Sequence, residues 1–400
     1  MYLILFFTYI RINFKKSVPY NRSWKQKFFY SNQYPTNHAT MIIQLSLFFA
    51  IGAFWTSLVL SMLFLFITVP GIPQLENYKA AKVIMASAYL LFCIISLYEI
   101  TARLQGINLP TFKTSILIFA TFQLYLFAHV NISLIDLKYL SIKKMVYHLI
   151  PVATLSLLNV GSYMGLWNDN FSKVLYYSLL IFYTVSLGCT VLLFIKHHRN
   201  YKKRFNNYFS GNSRDHLQWV YHANIFIFLA SIAVILFCIF SENIMTIFPI
   251  LAIAFYTYYA IHFLNYTDIF NYIEPIVREE TEKNIKASSI TFSQIENSIR
   301  EWENKKLYLK HDLTIVIVAS QISTNRTYLS SYLNSYRQRT FNEWINGLRI
   351  EEAKKIITTD KHATLDDICE KTGYADKSYF SKCFQRYTGT TVKQWRSMIN

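Results

Sequence analysis

Residues 313–334 read LTIVIVASQISTNRTYLSSYLN, and this stretch decides the fold of the C-terminal part of the chain. An apolar run is followed by a short polar turn and a second run, in which Leu329 and Leu333 recur at the i, i+4 spacing of one helix face. Ser323 or Thr324 is placed to supply an N-cap oxygen to the second helix. The pattern predicts a helix-turn-helix unit.

Residues 365–387, LDDICEKTGYADKSYFSKCFQRY, repeat this layout. Gly373 can adopt the positive φ that ends a helix, and Asp376 can cap the next one. Phe380 and Phe384 would bury the inner face of that helix. The sequence therefore predicts a second helix-turn-helix unit, joined to the first by a long helix.

The second helix of each unit has a polar outer face. In the first unit this face comprises Arg326, Thr327, Ser330 and Ser331, and in the second unit Lys377, Ser378, Ser381 and Lys382. Hydroxyl, guanidinium and ammonium groups in this arrangement suit base edges and phosphates. Double-stranded DNA is therefore the partner expected for this part of the chain.

The remainder of the chain has a different composition. The whole sequence is 53% hydrophobic and 16% charged. Residues 1–266 hold 20 Lys and Arg but only 6 Asp and Glu, whereas residues 267–400 hold 20 and 17. Basic residues that flank apolar segments are typical of membrane topology, so a lipid bilayer is the second expected partner.

Seven uncharged runs are long enough to be candidate membrane spans. They lie near residues 43–69, 83–100, 114–135, 145–166, 174–195, 219–240 and 244–265. The weakest is the second, because its uncharged stretch is short and is closed by Glu99. The fold class predicted is all-α, a bundle of about seven transmembrane helices followed by the two helix-turn-helix units; the alternative is six spans with the second one re-entrant.

Loop charges predict the orientation of the spans. With the C-terminal part in the cytoplasm, the inside loops carry eleven Lys and Arg and the outside loops three. We therefore expect a multi-pass protein of the cytoplasmic, inner membrane. Residues 1–40 conflict with seven spans, because they carry six basic residues and no acid on the outside. One hypothesis is that translation begins at Met41; six spans would instead place this segment inside.

Chemistry-bearing residues are sparse in the membrane part. Ionisable side chains in or beside the spans are Glu99, Arg103, His129, Asp136, His148, His222 and His262. Most lie near span ends, which favours interfacial placement, and His129 and Glu99 are the first to test as a ligand or ion path. No catalytic motif or metal-ligand spacing occurs, so neither an enzyme nor a bound metal or cofactor is predicted, and the five cysteines are expected to be buried small hydrophobes.

A charged connector follows the last span. The predicted segments are residues 1–40, the basic N-terminal segment; 41–266, the membrane domain; 267–304, a helical linker; and 305–400, the DNA-binding domain. In the linker Ile295, Ile299 and Trp302 begin an apolar stripe. Packing against its own domain is favoured for this stripe, and a homodimer seam is the alternative.

Residues 305–398 resemble the AraC/XylS family of bacterial transcription regulators. The markers are the Trp302…Tyr308 lead-in, the stretches 325–330 (NRTYLS) and 348–354 (LRIEEAK), the Gly373-Tyr374…Ser378…Phe380…Phe384 block, and Gly389-Thr390. The resemblance implies that the two polar faces described above enter successive major grooves, and that Asn325, Thr364 and Thr390 contact phosphates. The chain departs from the family at Ser323, where Gly is frequent, at Cys369, where Ala is usual, and at Val392, where Pro is usual.

The sequence as a whole predicts a membrane-embedded, one-component transcription regulator, whose membrane domain either senses a signal that gates DNA binding or only anchors the chain. RNA polymerase and a second copy of the chain are further candidate partners. The sequence does not indicate which effector would be bound. The alternative is a transporter-like or sensor membrane protein whose C-terminal module serves regulation or docking.

Overall fold

The computed structural model of the chain describes most of its residues. Those described are 37–69, 71, 75–105, 109–139, 142–211, 215–240, 248–277, 289–360 and 362–399. Two compact units are present, residues 1–49 and 50–400, and of the first only residues 37–49, the start of helix α1, are described. The predictions made for residues 1–36 lie outside the described part.

The N-terminal half consists of long apolar helices. These are α1 (Asn37–Phe66), α2 (Glu76–Gln105), α3 (Leu109–Ile135), α4 (Ile142–Tyr163), α5 (Asp169–Tyr208), α6 (Gln218–Ile239) and α7 (Phe248–Leu264). Within the described residues, the first six are long and apolar enough to cross a membrane, and α7, at 17 residues, is shorter. The all-α prediction is confirmed, but the re-entrant alternative for the second span is wrong, because α2 is a continuous helix of 30 residues.

Helix α3 lies at the centre of this bundle and packs against α2, α4, α5 and α6. The interior is mainly hydrophobic and also buries the polar side chains of His129 and Asn131 on α3. Apolar residues lie on the outer surface as well, Leu157 being 72% and Leu192 69% exposed. Such an outer surface is costly in water and suits hydrocarbon. The exposed apolar side chains of these helices are therefore consistent with helices that face the hydrocarbon of a membrane.

Helix α5 is 40 residues long and so extends about 60 Å. Its uncharged part ends before Lys196, and the following residues carry five basic side chains up to Arg204. Helix α8 (Phe270–Val277) packs against α5, and its residues Phe270, Ile273 and Ile276 are buried. The extension of α5 is thus held in place beyond the apolar bundle.

The C-terminal half is a set of shorter helices. These are α9 (Ser289–Asn304), α10 (Ile315–Gln321), α11 (Arg326–Ser331), α12 (Phe341–Thr359), α13 (Leu365–Thr372), α14 (Lys377–Thr388) and α15 (Val392–Ile399). They enclose two hydrophobic cores, one around α10 and α11 and the other around α13 and α14. Ile295, Ile299 and Trp302 of α9 are buried in the first core, so the linker stripe packs against its own domain, as favoured above.

The cysteines are all free thiols, and one prediction about them is wrong. Cys93, Cys238, Cys369 and Cys383 are buried, but Cys189 is exposed. Cys189 lies on the outer face of α5, where apolar neighbours such as Leu192 are also exposed. An apolar sequence around a cysteine does not distinguish the inner from the outer face of a membrane-type helix.

Candidate DNA-binding surface

The first helix-turn-helix unit is formed by α10 and α11. The side chain of Thr314 caps α10 by accepting from the backbone N–H of Ile317. Asn325, rather than Ser323 or Thr324, caps α11: its Oδ1 accepts from the backbone N–H of Tyr328 at 2.9 Å. The predicted N-cap is therefore wrong, because the turn is one to two residues longer than the sequence pattern suggests.

Ser323 forms the turn of this unit with a φ of +57°. This left-handed conformation is unfavourable for residues with a Cβ and easy for glycine. The departure from Gly at this position therefore leaves a strained residue between α10 and α11.

The second unit is formed by α13 and α14, and its predicted turn chemistry is confirmed. Gly373 ends α13 with a φ of +77°, and an added Cβ there would clash with the carbonyl oxygen of Leu309. Asp376 caps α14 by accepting from the backbone N–H of Tyr379 at 2.6 Å. Phe380 and Phe384 are fully buried. The turn is fixed by one glycine and one cap, which is why the sequence predicted it.

The predicted base-reading face of α14 is exposed. Lys377, Ser378, Ser381 and Lys382 are all on the surface of the protein. Lys377 forms an ion pair of 2.5 Å with Asp366 of α13, and this hydrogen bond raises the pKa of its ammonium group. Of the two lysines on this face, Lys377 is paired with a carboxylate and Lys382 is in none of the described ion pairs.

The predicted face of α11 is more covered. Ser330 is buried and accepts a hydrogen bond from Asn334 at 3.1 Å, so the prediction that it points outward is wrong. The chain passes from α11 into a π-helical turn, Tyr332–Tyr336, which turns the following residues around the helix axis. Arg326, Thr327 and Ser331 are half-buried.

Arg326 is covered by a residue from the other half of the chain. Its guanidinium carbon lies 5.2 Å from the centre of the Tyr208 ring, at the end of α5. This distance is typical of a cation–π contact. A residue predicted to meet DNA thus already stacks on the extension of a membrane-type helix.

The residues that follow Tyr208 bind to the same domain through main-chain atoms. The N–H and Oγ of Ser210 both donate to the carbonyl oxygen of Leu313, at 3.1 and 2.7 Å. The side-chain amide of Asn346 on α12 donates to the carbonyl oxygen of Ser210 at 3.0 Å. We call residues 208–211 the docking segment. It holds the first helix-turn-helix unit and the linking helix together.

Sequence reasoning missed the docking segment. Its one visible signal is that α5 continues past its apolar run into a basic stretch, and membrane topology by itself accounts for such a stretch. The hydrogen bonds of the docking segment are accepted by backbone carbonyl oxygens, which every residue type has, so the sequence shows no recognisable pattern for them.

The linking helix α12 fixes the spacing of the two units. Arg349 is fully buried, its Nε donating to the carbonyl oxygen of Tyr308 at 2.8 Å and its Nη2 to that of Lys310 at 2.6 Å. It also lies 5.5 Å from the centre of the Tyr374 ring in the second unit. Burial lowers the pKa of this guanidinium, but arginine remains charged. The Arg349 side chain therefore connects three parts of the domain: the segment around residues 308–310, the linking helix and the second unit.

The three residues predicted to contact phosphates, Asn325, Thr364 and Thr390, lie at or next to the N-termini of α11, α13 and α15, but not all of them are N-cap residues. Thr364 caps α13 in a reciprocal arrangement with Asp367, whose carboxylate accepts from the Thr364 N–H at 2.9 Å. Thr391, rather than Thr390, makes the corresponding contacts with Gln394 at the start of α15. Asn325 uses one side-chain oxygen for its cap. Phosphate binding by Asn325, Thr364 and Thr390 stays a prediction.

Of the ionisable residues predicted in the membrane part, two form a pair. Nδ1 of His129 is 2.9 Å from the carbonyl oxygen of Tyr125, so it donates, and its Nε2 is 3.2 Å from Nδ1 of His148. Asp136 pairs with His197 at 2.9 Å. Across the described residues, no cluster of His, Cys, Asp and Glu could hold a metal ion.

Comparison with known proteins agrees with this geometry. Residues 318–398 match the model of a helix-turn-helix domain family. This range begins within α10 and contains α11, the linking helix α12 and the whole second unit. The C-terminal part of the chain is therefore a helix-turn-helix domain of the AraC type, and no solved structure shows significant similarity to the chain.

Several curated proteins share part of the sequence. The raffinose operon transcriptional regulatory protein RafR of Pediococcus pentosaceus is 28% identical over 86 residues, which is 22% of this chain and 31% of that protein. The regulatory protein PocR of Salmonella typhimurium is 28% identical over 93 residues, 23% of this chain and 30% of that protein. A histidine kinase of Formosa agariphila is 25% identical over 118 residues, 29% of this chain and 8% of that protein. The chain thus covers less than a third of each of these three proteins.

Proposed function

We propose that this chain is a membrane-embedded, one-component transcription regulator that binds promoter DNA through its two helix-turn-helix units. The AraC-type domain supports DNA binding, and six helices long and apolar enough to cross a membrane precede it in the same chain. The bias of basic residues supports insertion in the cytoplasmic membrane with the DNA-binding domain in the cytoplasm. RNA polymerase and a second copy of the chain are the protein partners that such a regulator would meet.

We further propose that a signal in the membrane domain controls DNA binding through α5. The observation that carries this proposal is the docking segment, because it covers Arg326 and is bonded to Leu313 and Asn346. A recognition helix must insert into a major groove only about 12 Å wide. With Tyr208 stacked on Arg326, the first unit has to leave the docking segment before it reaches base edges.

Chromatin immunoprecipitation with sequencing tests DNA binding by the full-length, tagged protein. We expect discrete enriched sites that are lost or weakened in the Arg326→Ala and Lys382→Ala variants, since removing a base contact costs about 1–3 kcal/mol. Lys305→Ala is the matched control, because Lys305 is exposed just after the end of α9, pairs with Glu301 and belongs to neither recognition helix. Absence of enriched sites for the unmodified protein would overturn the proposal.

A further inference from the structure

The helical bundle contains a cavity of about 250 Å³. It lies between five helices, represented by Phe92 of α2, Gln123 of α3, Tyr183 of α5, Phe226 of α6 and Tyr256 of α7. The cavity is partly open to the outer surface of the bundle, since its lining residues Leu229 and Leu251 are exposed. A cavity of this size can hold a small molecule, and the chemistry of the lining residues indicates which class of molecule fits.

The walls are aromatic and uncharged. Phe226 and Phe255 stack in parallel at 4.3 Å, and Phe92 stacks on Tyr256 at 4.4 Å. None of the described lining residues is Asp, Glu, Lys, Arg or His. A carboxylate, phosphate or ammonium group would have no partner here and would lose its hydration. The ligand that fits these walls is therefore neutral and largely apolar.

Polar side chains interrupt the apolar wall at Tyr183 and Ser231 and at the hydrogen-bonded pair Gln123–Tyr256. The hydroxyl of Tyr256 donates to Oε1 of Gln123 at 2.5 Å, and Nε2 of Gln123 is 3.2 Å from the carbonyl oxygen of Ala88. Binding sites for small molecules commonly combine apolar walls with a few polar groups that fix orientation. The Gln123–Tyr256 pair is suited to a single hydroxyl, carbonyl or amide group of a ligand.

A second cavity continues the first. It measures about 190 Å³ and shares Leu124 and Ile227 with its neighbour. On α5 the lining extends from Tyr183 in the first cavity to Ile195 in the second, which is about 18 Å along the helix. The two cavities adjoin at these shared residues, and their volumes of about 250 and 190 Å³ add up to about 440 Å³, within the range of ligand sites; we call the two together the slot. Its shape suits one extended chain and is too small for a two-chain phospholipid.

The slot opens toward the outside of the bundle. Leu229 and Leu251 line the first cavity and are 57% and 50% exposed, and Phe228 of the second is 39% exposed. These side chains belong to the apolar outer surface described above. A ligand would enter sideways from the hydrocarbon, which again requires a lipophilic molecule.

We propose that this slot binds one neutral, single-chain lipophilic molecule, with its hydrogen-bonding group at Gln123 and Tyr256, and that this molecule is the effector of the regulator. The effector role rests on the function proposed above. Helices α5 and α6 line both cavities, and α5 continues from Ile195 to Tyr208. A chain inserted between α5 and α6 displaces α5, and the displacement reaches the docking segment through one continuous helix.

Photo-crosslinking tests the ligand site without any use of DNA. The full-length protein in lipid nanodiscs is exposed to three clickable diazirine probes: a C16 primary alcohol, a C16 alkane and a phosphatidylcholine. We expect saturable labelling of α5 and α6 peptides by the alcohol, competed by unlabelled hexadecanol, with the phosphatidylcholine probe labelling only the outer surface. Equal, uncompeted labelling by all three probes would show a crevice filled by bulk lipid and would overturn the proposal.

Two variants locate the site. Ala230→Phe fills the first cavity and should reduce alcohol labelling at least about tenfold, whereas Ala153→Phe, on α4 and outside the lining, should not. Gln123→Leu should reduce the preference for alcohol over alkane about fivefold, as expected for one lost hydrogen bond. Unchanged labelling in both variants would overturn the assignment.

Fluorescence anisotropy with promoter DNA then tests the effector role. We expect hexadecanol to change the Kd for DNA of the wild type and of Ala153→Phe but not of Ala230→Phe. Saturable labelling with no change in Kd would overturn the effector role while the binding site stands. Saturable labelling of a protein that binds no promoter DNA at all would instead contradict the proposed regulator function.

Discussion

At the scale of single residues, the turn of the first helix-turn-helix unit stores strain at Ser323. Its φ of +57° costs about 1–2 kcal/mol for a residue with a Cβ, and glycine at this position avoids that cost while losing more entropy on folding. We expect Ser323→Gly to raise the free energy of unfolding by about 0.5 kcal/mol. Urea denaturation of a fragment beginning at Ser289 measures the change.

Ser320→Gly is the matched control for this substitution. Ser320 lies inside α10, so glycine there should lower the free energy of unfolding by about 0.5–1 kcal/mol. Opposite signs for the two glycines would confirm that the backbone at Ser323 is strained, and equal destabilisation would contradict it.

Arg349 supports a second residue-scale prediction. Arg349→Met removes two charge-assisted hydrogen bonds to the carbonyl oxygens of Tyr308 and Lys310, so we expect a loss of about 3 kcal/mol in the free energy of unfolding. Arg339→Met, at an exposed position beyond α11, should change it by less than about 0.5 kcal/mol. A loss for Arg349→Met no larger than for Arg339→Met would show that the buried guanidinium does not hold the units together.

These residues also show what the sequence could predict. Gly373, Asp376, Phe380 and Phe384 each have a single local role, and the structure confirms all four. Ser330 was predicted wrongly: it is buried next to a π-helical turn, Tyr332–Tyr336, and the i, i+4 pattern of Leu329 and Leu333 indicates neither its burial nor this turn. Local chemistry is encoded in neighbouring residues, whereas helix irregularity depends on tertiary packing.

At the scale of elements, α5 connects the two halves of the molecule. Tyr208→Ala removes the ring that covers Arg326, a contact of about 0.5–1 kcal/mol at a partly exposed site. If the docking segment restrains the DNA-binding domain, the full-length variant should bind promoter DNA about two- to fivefold more tightly than the wild type. Fluorescence anisotropy in nanodiscs measures this difference.

The control for this experiment lies on the same helix. Tyr177 is 59% exposed near the opposite end of α5, so Tyr177→Ala should leave the Kd for DNA unchanged. Weaker DNA binding by Tyr208→Ala would contradict a restraining role and indicate that the segment supports the domain in its DNA-binding form.

The helices themselves were predictable, and their contacts were not. Uncharged runs predicted α1 to α7 because hydrocarbon thickness sets the length of a span. The docking of α5 on α10 and α12 could not be predicted, because Ser210 and Leu313 meet 103 residues apart through hydrogen bonds to a main-chain carbonyl. Side-chain periodicity carries no information about such a pairing.

At the scale of the whole molecule, the orientation of the chain is the property to measure. The loop charges predict that Lys173 lies outside the cell and Lys203 inside. In a variant without the native cysteines, Lys173→Cys should react with a membrane-impermeant maleimide in intact cells. Lys203→Cys should react only after the cells are opened.

Both positions are exposed on the surface of α5, so a difference in labelling reports on the membrane and not on burial. Labelling of Lys203→Cys in intact cells would place the DNA-binding domain outside and contradict the proposed function.

The hydrogen bonds between Ser210 and the carbonyl oxygen of Leu313 have an evolutionary consequence. Leu313 contributes its carbonyl oxygen, and one of the two donors of Ser210 is its backbone N–H. Substitutions at these two positions that preserve the backbone conformation therefore retain at least one of the bonds. The exposed residues of α14 make no contribution to this junction. Descendants of this protein could therefore acquire new target sequences through α14 while they inherit the same control by α5.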